Sequence, residues 1–383
     1  MAAARRIAAE GTPPLIVHRT LSAYVRLPGS APELTWPSEG QAAVEVEGVG
    51  SFGTVGGHTP VPIASVAKVM TAYLTLREHP LASGEDGFVI RITKADVREE
   101  KQRVALDEST LSVRAGERIT ERQALEALML PSANNIAALL AVHDAGGLAP
   151  FVARMNSTAR KLGMTSTTYT DPSGFNAKTV STATDQLKLA RVVMGEPVFA
   201  AIVDEPSTKL PVAGHVVNSN GLVGADGYVG VKTGSDEAAG GCLMFAKRVP
   251  VGGRRLTVLG VVLGQRHGEL VEAALTSAQR LGHSVAAALS VKTVLPAGTR
   301  VLSASSADGR GTVAVTAGAV REIGWGGLTL PVRVVARPAM SELRAGERMA
   351  TAAVRGASVV RISVVAAGSV EGPSLGWRLL HLF

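Results

Sequence analysis

The 383-residue sequence predicts an α+β fold, with helices packed on an antiparallel sheet, followed by a small all-β C-terminal domain. Three observations predict it. Helical periodicity sets in at Ser65 and returns in successive segments as far as the 180s. Strand-length segments joined by a glycine turn occupy the stretch from Val229 to Leu263. Beyond Val291 the chain becomes Val-rich with no long helical period. With 46% hydrophobic and 19% charged residues, the chain can bury a sizeable core and is long enough for two domains.

Residues 1–40 are rich in Pro, Ala and Gly and read as a flexible lead-in that tethers the folded domain. The start, Met1 to Arg6, resembles the charged opening of an export signal, but no apolar stretch of the required length precedes Pro13 and Pro14. Nor does any run of about 18 apolar residues predict a membrane span. Ala42 to Val49 and Gly50 to Thr54, with Gly56-Gly57, read as strands meeting at turns.

After Pro60 and Pro62, the residues Val69, Ala72, Tyr73 and Leu76 recur at helical spacing, so Ser65 sits at a helix start. Thr120 and Gln123 fit a capping box for a helix that buries Leu125, Leu128 and Met129 and that Pro131 breaks. One helix opens near Ser132 and stops at Gly146-Gly147. Another carries Phe151, Met155 and Leu162 and closes at Gly163, and Thr182 with Asp185 caps the next. The strands Val229 to Thr233, Gly241 to Lys247 and Arg255 to Leu263 come next, the last two joined at Gly252-Gly253, and then an amphipathic helix from about Glu269 to Leu289. The expected domains are therefore 41–290 and 291–383, the latter ending in an apolar tail of Leu375, Trp377, Leu379, Leu380, Leu382 and Phe383.

Composition excludes several functions. Aromatic residues make up only 4%, too few for a base-stacking surface. The net charge of +7 favours anionic surroundings, but the basic residues are scattered along the chain with no basic run or nucleic-acid motif, so no nucleic-acid partner is expected. Cys242 is the single cysteine and the eight histidines form no ligand pattern, so neither a disulfide, a metal nor a cofactor is expected. Cys242, in the apolar run Gly241 to Ala246, reads as an inert core residue.

Three short motifs carry chemistry. In Ser65-Val66-Ala67-Lys68 a hydroxyl and an amine at i and i+3 share one helix face, which makes a nucleophile with a built-in base. The apolar flank from Ile63 to Val69 suits the lowered lysine pKa that this role needs. Ser132-Ala133-Asn134 offers a proton-relaying hydroxyl and a carboxamide that could hold Lys68 and meet a substrate amide; taken alone it reads first as an ordinary N-cap serine with an asparagine in the first turn. Lys232-Thr233-Gly234 can grip a carboxylate from a strand while the glycine lets substrate backbone lie close, or it can be a surface lysine before a turn. Each motif is weak alone, but the three occur once each and in this order, a trio known from β-lactamases and penicillin-binding proteins.

The sequence resembles the low-molecular-mass penicillin-binding proteins, specifically the serine D-alanyl-D-alanine carboxypeptidases. The resemblance extends over Pro62 to Leu76, Ala127 to Asn135, Leu162 to Met164, Asp171 to Gly174 and Asp226 to Gly241, within roughly residues 40–285. It implies a β-lactamase/transpeptidase-like fold and removal of the terminal D-alanine from peptidoglycan stem pentapeptides, with β-lactam antibiotics acylating the same serine. By motif matching, Ser65 is the nucleophile, Lys68 the base, Ser132 the proton relay and Asn134 a lysine-orienting and substrate group. Lys232 and Thr233, with Gly234, bind the terminal carboxylate, and the backbone N–H groups of Ser65 and Ser235 form the oxyanion hole. The same resemblance implies an extracytoplasmic location in the cell envelope. One departure is Asp236-Glu237, where relatives more often carry uncharged residues; a solvated turn is the expected reading. The tail could attach to a membrane surface, as relatives' tails do, or simply pack as a last strand or helix.

Two rivals remain. A class A β-lactamase would add a glutamate in a Glu-x-x-x-Asn arrangement, yet Glu196 and Glu205 have Ala200 and Lys209 four residues on. A non-catalytic wall-binding homologue would keep the pocket and lose turnover, perturbed by Asp236 and Glu237.

Overall fold

The computed structural model describes residues 12–381, and the contacts divide them into two units: residues 33–47 and 51–287, and residues 12–32, 48–50 and 288–381. The expected lead-in needs correction. Ile16–Arg19 (β1) and Tyr24–Arg26 (β2) are strands, paired antiparallel with Arg300–Ser305 and Thr329–Ala336. Leu15 and Leu27 beside them are buried. Strands of three or four residues are too short to show an alternation, and partners near the other end of the chain leave no local signal. Residues 1–11, with the charged start, lie outside the described residues, as do Leu382 and Phe383 of the tail.

The larger unit is built on a five-stranded sheet. β3 (Gln41–Val46), β4 (Gly50–Val55), β5 (Tyr228–Asp236), β6 (Gly240–Val251) and β7 (Arg254–Gln265) stand in the order β5-β6-β7-β3-β4. β6 and β7 form the expected hairpin about Gly252-Gly253. β3 is buried throughout and β6 from Gly240 to Lys247, which is why the stretch Gly241 to Ala246 reads as a continuous apolar run.

Between β4 and β5 the chain is mainly helical, with three short two-stranded pairs in the same stretch: α1 (Lys68–Glu78), α2 (Lys94–Ala105), α3 (Glu121–Met129), α4 (Asn134–Ala145), α5 (Leu148–Lys161), α6 (Ala183–Val193) and α7 (Pro197–Val203); α8 (Leu270–Ala288) comes after β7. The Thr120–Gln123 capping box is formed at α3, and Thr182 accepts from the Asp185 N–H at α6, each satisfying helix-start donors that would otherwise be orphaned. α1 has eight buried residues and runs through the core, packed against α4, α5 and α6.

The second unit is β-rich, as expected. β8 (Ser290–Leu295) pairs with β11 (Val320–Gly324). β9 (Arg300–Ser305), β10 (Gly311–Thr316), β12 (Thr329–Ala336), β13 (Arg348–Arg355) and β14 (Val359–Ala366) join β1 and β2 in a seven-stranded sheet ordered β1-β9-β10-β14-β13-β12-β2. The tail forms the short helix α9 (Leu375–Leu380), with Leu375 and Leu380 exposed.

The two units carry unequal charge. Residues 12–32 and 288–381 hold thirteen Lys and Arg against five Asp and Glu, a net +8, whereas residues 33–47 and 51–287 hold 24 against 26, a net −2. Eleven of the thirteen lie in the contiguous stretch 288–381, so the imbalance is present in the sequence although these residues form no run.

Candidate active site

A 3-10 turn, Ala64–Ala67, carries Ser65 into α1, whose first residue is Lys68. The i, i+3 spacing brings the two side chains together: Lys68 Nζ donates to Ser65 Oγ at 2.7 Å and to the Ser173 carbonyl at 3.1 Å. Lys68 is fully buried, and burial holds its pKa well below the ordinary lysine value, helped by the nearby Lys232 charge and opposed by Asp171 and Glu108.

The turn is braced by the loop that contains Ser173. Asp171 accepts from the Ser173 hydroxyl at 2.6 Å, from the Phe175 N–H at 3.0 Å and from the Thr179 hydroxyl at 2.6 Å, while Thr71 Oγ1 donates to the Pro172 carbonyl at 2.6 Å. A Cβ on Gly174 would lie 1.9 Å from the Ala64 carbonyl oxygen, so the loop seats against the turn only with glycine there.

Ser132 is not an N-cap. Ala133 occupies the cap position without a side-chain bond, and Asn134 opens α4. Ser132 stands one residue outside with φ of 67°, a left-handed conformation that costs a non-glycine residue on the order of 1–3 kcal/mol and tends to occur at functional sites. The Asn134 amide donates to Glu108 Oε2 at 2.7 Å, and Arg103 donates to the same oxygen at 2.8 Å. The Lys68-holding contact expected of Asn134 is absent among the described residues. The Glu108 carboxylate takes the amide in a charge-assisted bond, and Lys68 is held instead by Ser65 and the Ser173 carbonyl. Asn134 Oδ1 is buried with no hydrogen-bond partner among the described residues.

Lys232, Thr233 and Gly234 lie on β5. Lys232 is 1% exposed, which removes the surface-lysine reading, and burial lowers its pKa to about 7. Thr233 Oγ1 shares a 2.7 Å hydrogen bond with Ser219 Oγ, and Ser219 Oγ donates to the Leu130 carbonyl at 3.1 Å. A Cβ on Gly234 would lie 2.9 Å from the Ser65 nitrogen, so β5 runs directly against the turn that carries Ser65. Ser65, Asn134 and Ser235 line a cleft of about 600 Å³ together with Glu108, Asp236 and Glu237. Glu237 is exposed, as expected. Asp236 is half-buried and committed to the turn, accepting from the Ala239 N–H at 2.7 Å.

Of the eight expected residues, Ser65, Asn134 and Ser235 line this cleft, Lys68 bonds to Ser65, and Lys232, Thr233 and Gly234 precede Ser235 on β5; Ser132 makes no side-chain hydrogen bond to any of them among the described residues. The sequence reading missed Glu108, Arg103, Ser173 and Ser219, which orient them. Of these only Ser173 falls in a segment that carried the resemblance, Asp171 to Gly174; the others belong to none of the three motifs. Cys242 is buried, and burial raises its thiol pKa to about 12. Elsewhere in the unit, Asp144 accepts from the Thr75 hydroxyl at 2.6 Å and lies 3.3 Å from His79 Nε2, with His143 close by.

The arrangement matches known proteins. A family described as D-alanyl-D-alanine carboxypeptidase, the S11 peptidases, matches residues 55–266. The D-alanyl-D-alanine carboxypeptidase DacB2 of Mycobacterium tuberculosis is 36% identical over 204 residues, covering 51% of this chain and 65% of that protein. A D-alanyl-D-alanine endopeptidase of Escherichia coli is 31% identical over 195 residues, covering 48% and 58%. The chain thus spans less than two thirds of the length of either relative. Among solved structures, the Streptomyces K15 DD-transpeptidase superposes with a TM-score of 0.56 at 27% identity, over 67% of this chain and 98% of that one. A carboxypeptidase DacD from Francisella tularensis shares the fold over 90% of this chain, with a TM-score of 0.60 at 19% identity. With its family match covering more than half of the sequence, and with the cleft assembled from the three motifs, this chain belongs to the S11 D-alanyl-D-alanine carboxypeptidase family.

Proposed function

We propose that the chain is a serine D-alanyl-D-alanine carboxypeptidase that removes the terminal D-alanine from peptidoglycan stem pentapeptides through an acyl-enzyme on Ser65. The observation that carries this reading is the 2.7 Å hydrogen bond between Ser65 and a fully buried lysine. Burial favours the uncharged form of Lys68, so its lone pair takes the Ser65 proton as Oγ attacks the carbonyl between the last two D-alanines. The oxyanion rests on the backbone N–H groups of Ser65 and Ser235. The C–N bond then breaks, the proton passes from Lys68 through Ser132 to the leaving amine, and D-alanine departs. Water attacks the remaining ester and gives a proton to Lys68, which passes it to Ser65 Oγ as the acyl C–O bond breaks, so that the shortened peptide leaves and both groups regain their starting state. Lys232 and Thr233 hold the terminal carboxylate, and Asn134, fixed by Glu108, presents its unpartnered Oδ1 to a substrate amide.

β-Lactams acylate the same serine, and the ester persists because no Glu-x-x-x-Asn base comes after the second motif. The substrate places the enzyme outside the cytoplasmic membrane. No single helix among the described residues is long and apolar enough to cross a membrane, and the exposed leucines of α9 would touch a bilayer surface at most. A second reading, cleavage of cross-links rather than of free pentapeptide, is favoured by the relatives named endopeptidases.

The test is D-alanine release from a synthetic pentapeptide, with a cross-linked dimer in parallel and Ser65→Ala as control. Ser65-dependent release from the pentapeptide supports the carboxypeptidase, and cleavage of the dimer alone supports the endopeptidase. Release that survives in Ser65→Ala, a penicillin adduct mapped by mass spectrometry to another peptide, or rapid nitrocefin turnover would each overturn the proposal.

A further inference from the structure

We propose that the open face of β12, β13 and β14 is a binding groove for a linear phosphodiester polymer. Strand register builds the groove. Arg333 on β12 stands opposite Ala353 on β13, and Ala353 opposite Arg361 on β14; Val335 faces Thr351, and Arg355 faces Val359. The middle strand therefore contributes the small floor residues Thr351 and Ala353. The flanking strands raise walls about 10 Å apart, twice the spacing of neighbouring strands. These residues, with Tyr24 at one edge, enclose about 570 Å³.

The charge in the groove has one sign. None of the five acidic residues in residues 12–32 and 288–381 lines it. Asp308 and Glu371 pair with Arg310 and Glu347 pairs with Arg337, while Glu322 is buried against Ser358. Among the described residues Arg333, Arg355 and Arg361 form no ion pair, so three guanidiniums converge on a concave surface without a counter-charge.

An anion is the complementary occupant. Arginine forks match phosphate oxygens in pairs and keep their charge at any physiological pH. The groove runs along β13 from Thr351 to Arg355, about 13 Å at strand rise, longer than one phosphate needs and suited to successive groups of a chain. A small-residue floor between charged walls is the wrong shape for a flat bilayer, and one aromatic side chain, Tyr24, is too few to stack nucleic-acid bases. The exposed apolar edges of Tyr24 and Val335 fit the carbon linkers between phosphates.

The experiment measures binding of synthetic poly(glycerol phosphate) to the full chain across a salt series, with oligothymidylate and phosphatidylglycerol vesicles in parallel. The triple variant Arg333→Gln, Arg355→Gln, Arg361→Gln should lose at least tenfold in affinity at low salt. Its slope of log K against log salt should fall by about two, since each neutralised phosphate of a flexible chain contributes about 0.7. A control with the same charge change outside the groove, Arg300→Gln, Arg321→Gln, Arg348→Gln, should stay within about threefold of wild type. Equal losses in both variants mean diffuse charge and overturn the proposal. So does absence of binding at low salt, or groove-dependent binding that is tighter to vesicles or to oligothymidylate. Circular dichroism melting checks that the variants fold. Should the triple variant not fold, Ala353→Glu sets a carboxylate on the floor and must weaken binding, and unchanged affinity in that variant overturns the proposal.

Discussion

The two units handle positive charge in opposite ways. In the larger unit the cations at the cleft are inside: Lys68 and Lys232 are 0% and 1% exposed, and their burial drives both pKa values down. In the β-rich unit the arginines stay on the surface, and Glu322 is the only buried charged residue among the described ones. A buried amine loses its charge readily and so can accept a proton, at a cost in stability. A surface guanidinium keeps its charge and acts on whatever approaches. One fold thus separates reaction chemistry from attraction.

Substitutions can break or sharpen this contrast. The largest effect is expected for Lys68→Ala, which removes the proposed base. Acylation of Ser65 by penicillin should slow by about 10²–10⁴-fold, with a thermal melt checking that the variant stays folded. The groove triple variant should leave that acylation rate unchanged. An equal slowing in both, followed by mass spectrometry of the adduct, would show that the two kinds of cation act together.

Next comes Lys232→Met, which replaces a buried amine with an apolar chain and should raise stability by about 1–4 kcal/mol below pH 7. The folded-state pKa, about 7, lies below the ordinary value of 10.5. Between those values the unfolded chain therefore binds more protons, and wild-type stability rises with pH through that window. The advantage of the variant should shrink from pH 7 upward and vanish above about 10.5. Urea melts at several pH values check this, and a pH-independent gain would contradict the burial argument.

The smallest effect is expected for Glu108→Gln. The Asn134 amide would lose a charge-assisted bond, and kcat/KM for the pentapeptide should fall about tenfold, with the penicillin adduct still forming on Ser65. A loss carried by kcat rather than by KM would place Asn134 in the transition state.

Much of this was legible in the sequence, for identifiable reasons. Ser65 and Lys68 are three residues apart on one helix face, and the Thr120 and Thr182 caps are local, so spacing alone disclosed them. Edge strands β1 and β2 were hidden because their partners are distant and their length is below one alternation. The Glu108–Asn134 bond joins residues 26 apart, and the Lys68–Ser173 bond residues 105 apart, so neither leaves a periodic trace. The Arg333–Ala353–Arg361 row exists only once register is set.

Cys242 sits opposite Gly234 in the β5–β6 ladder, directly behind the strand that runs against Ser65. Its thiol is buried and, with a pKa near 12, unreactive in the folded chain, yet in an opened chain it would behave as ordinary cysteine. The lone sulfur is therefore a built-in chronometer: alkylation under native conditions counts how often this sheet parts, and slower labelling on adding penicillin would read out how far acylation clamps it shut.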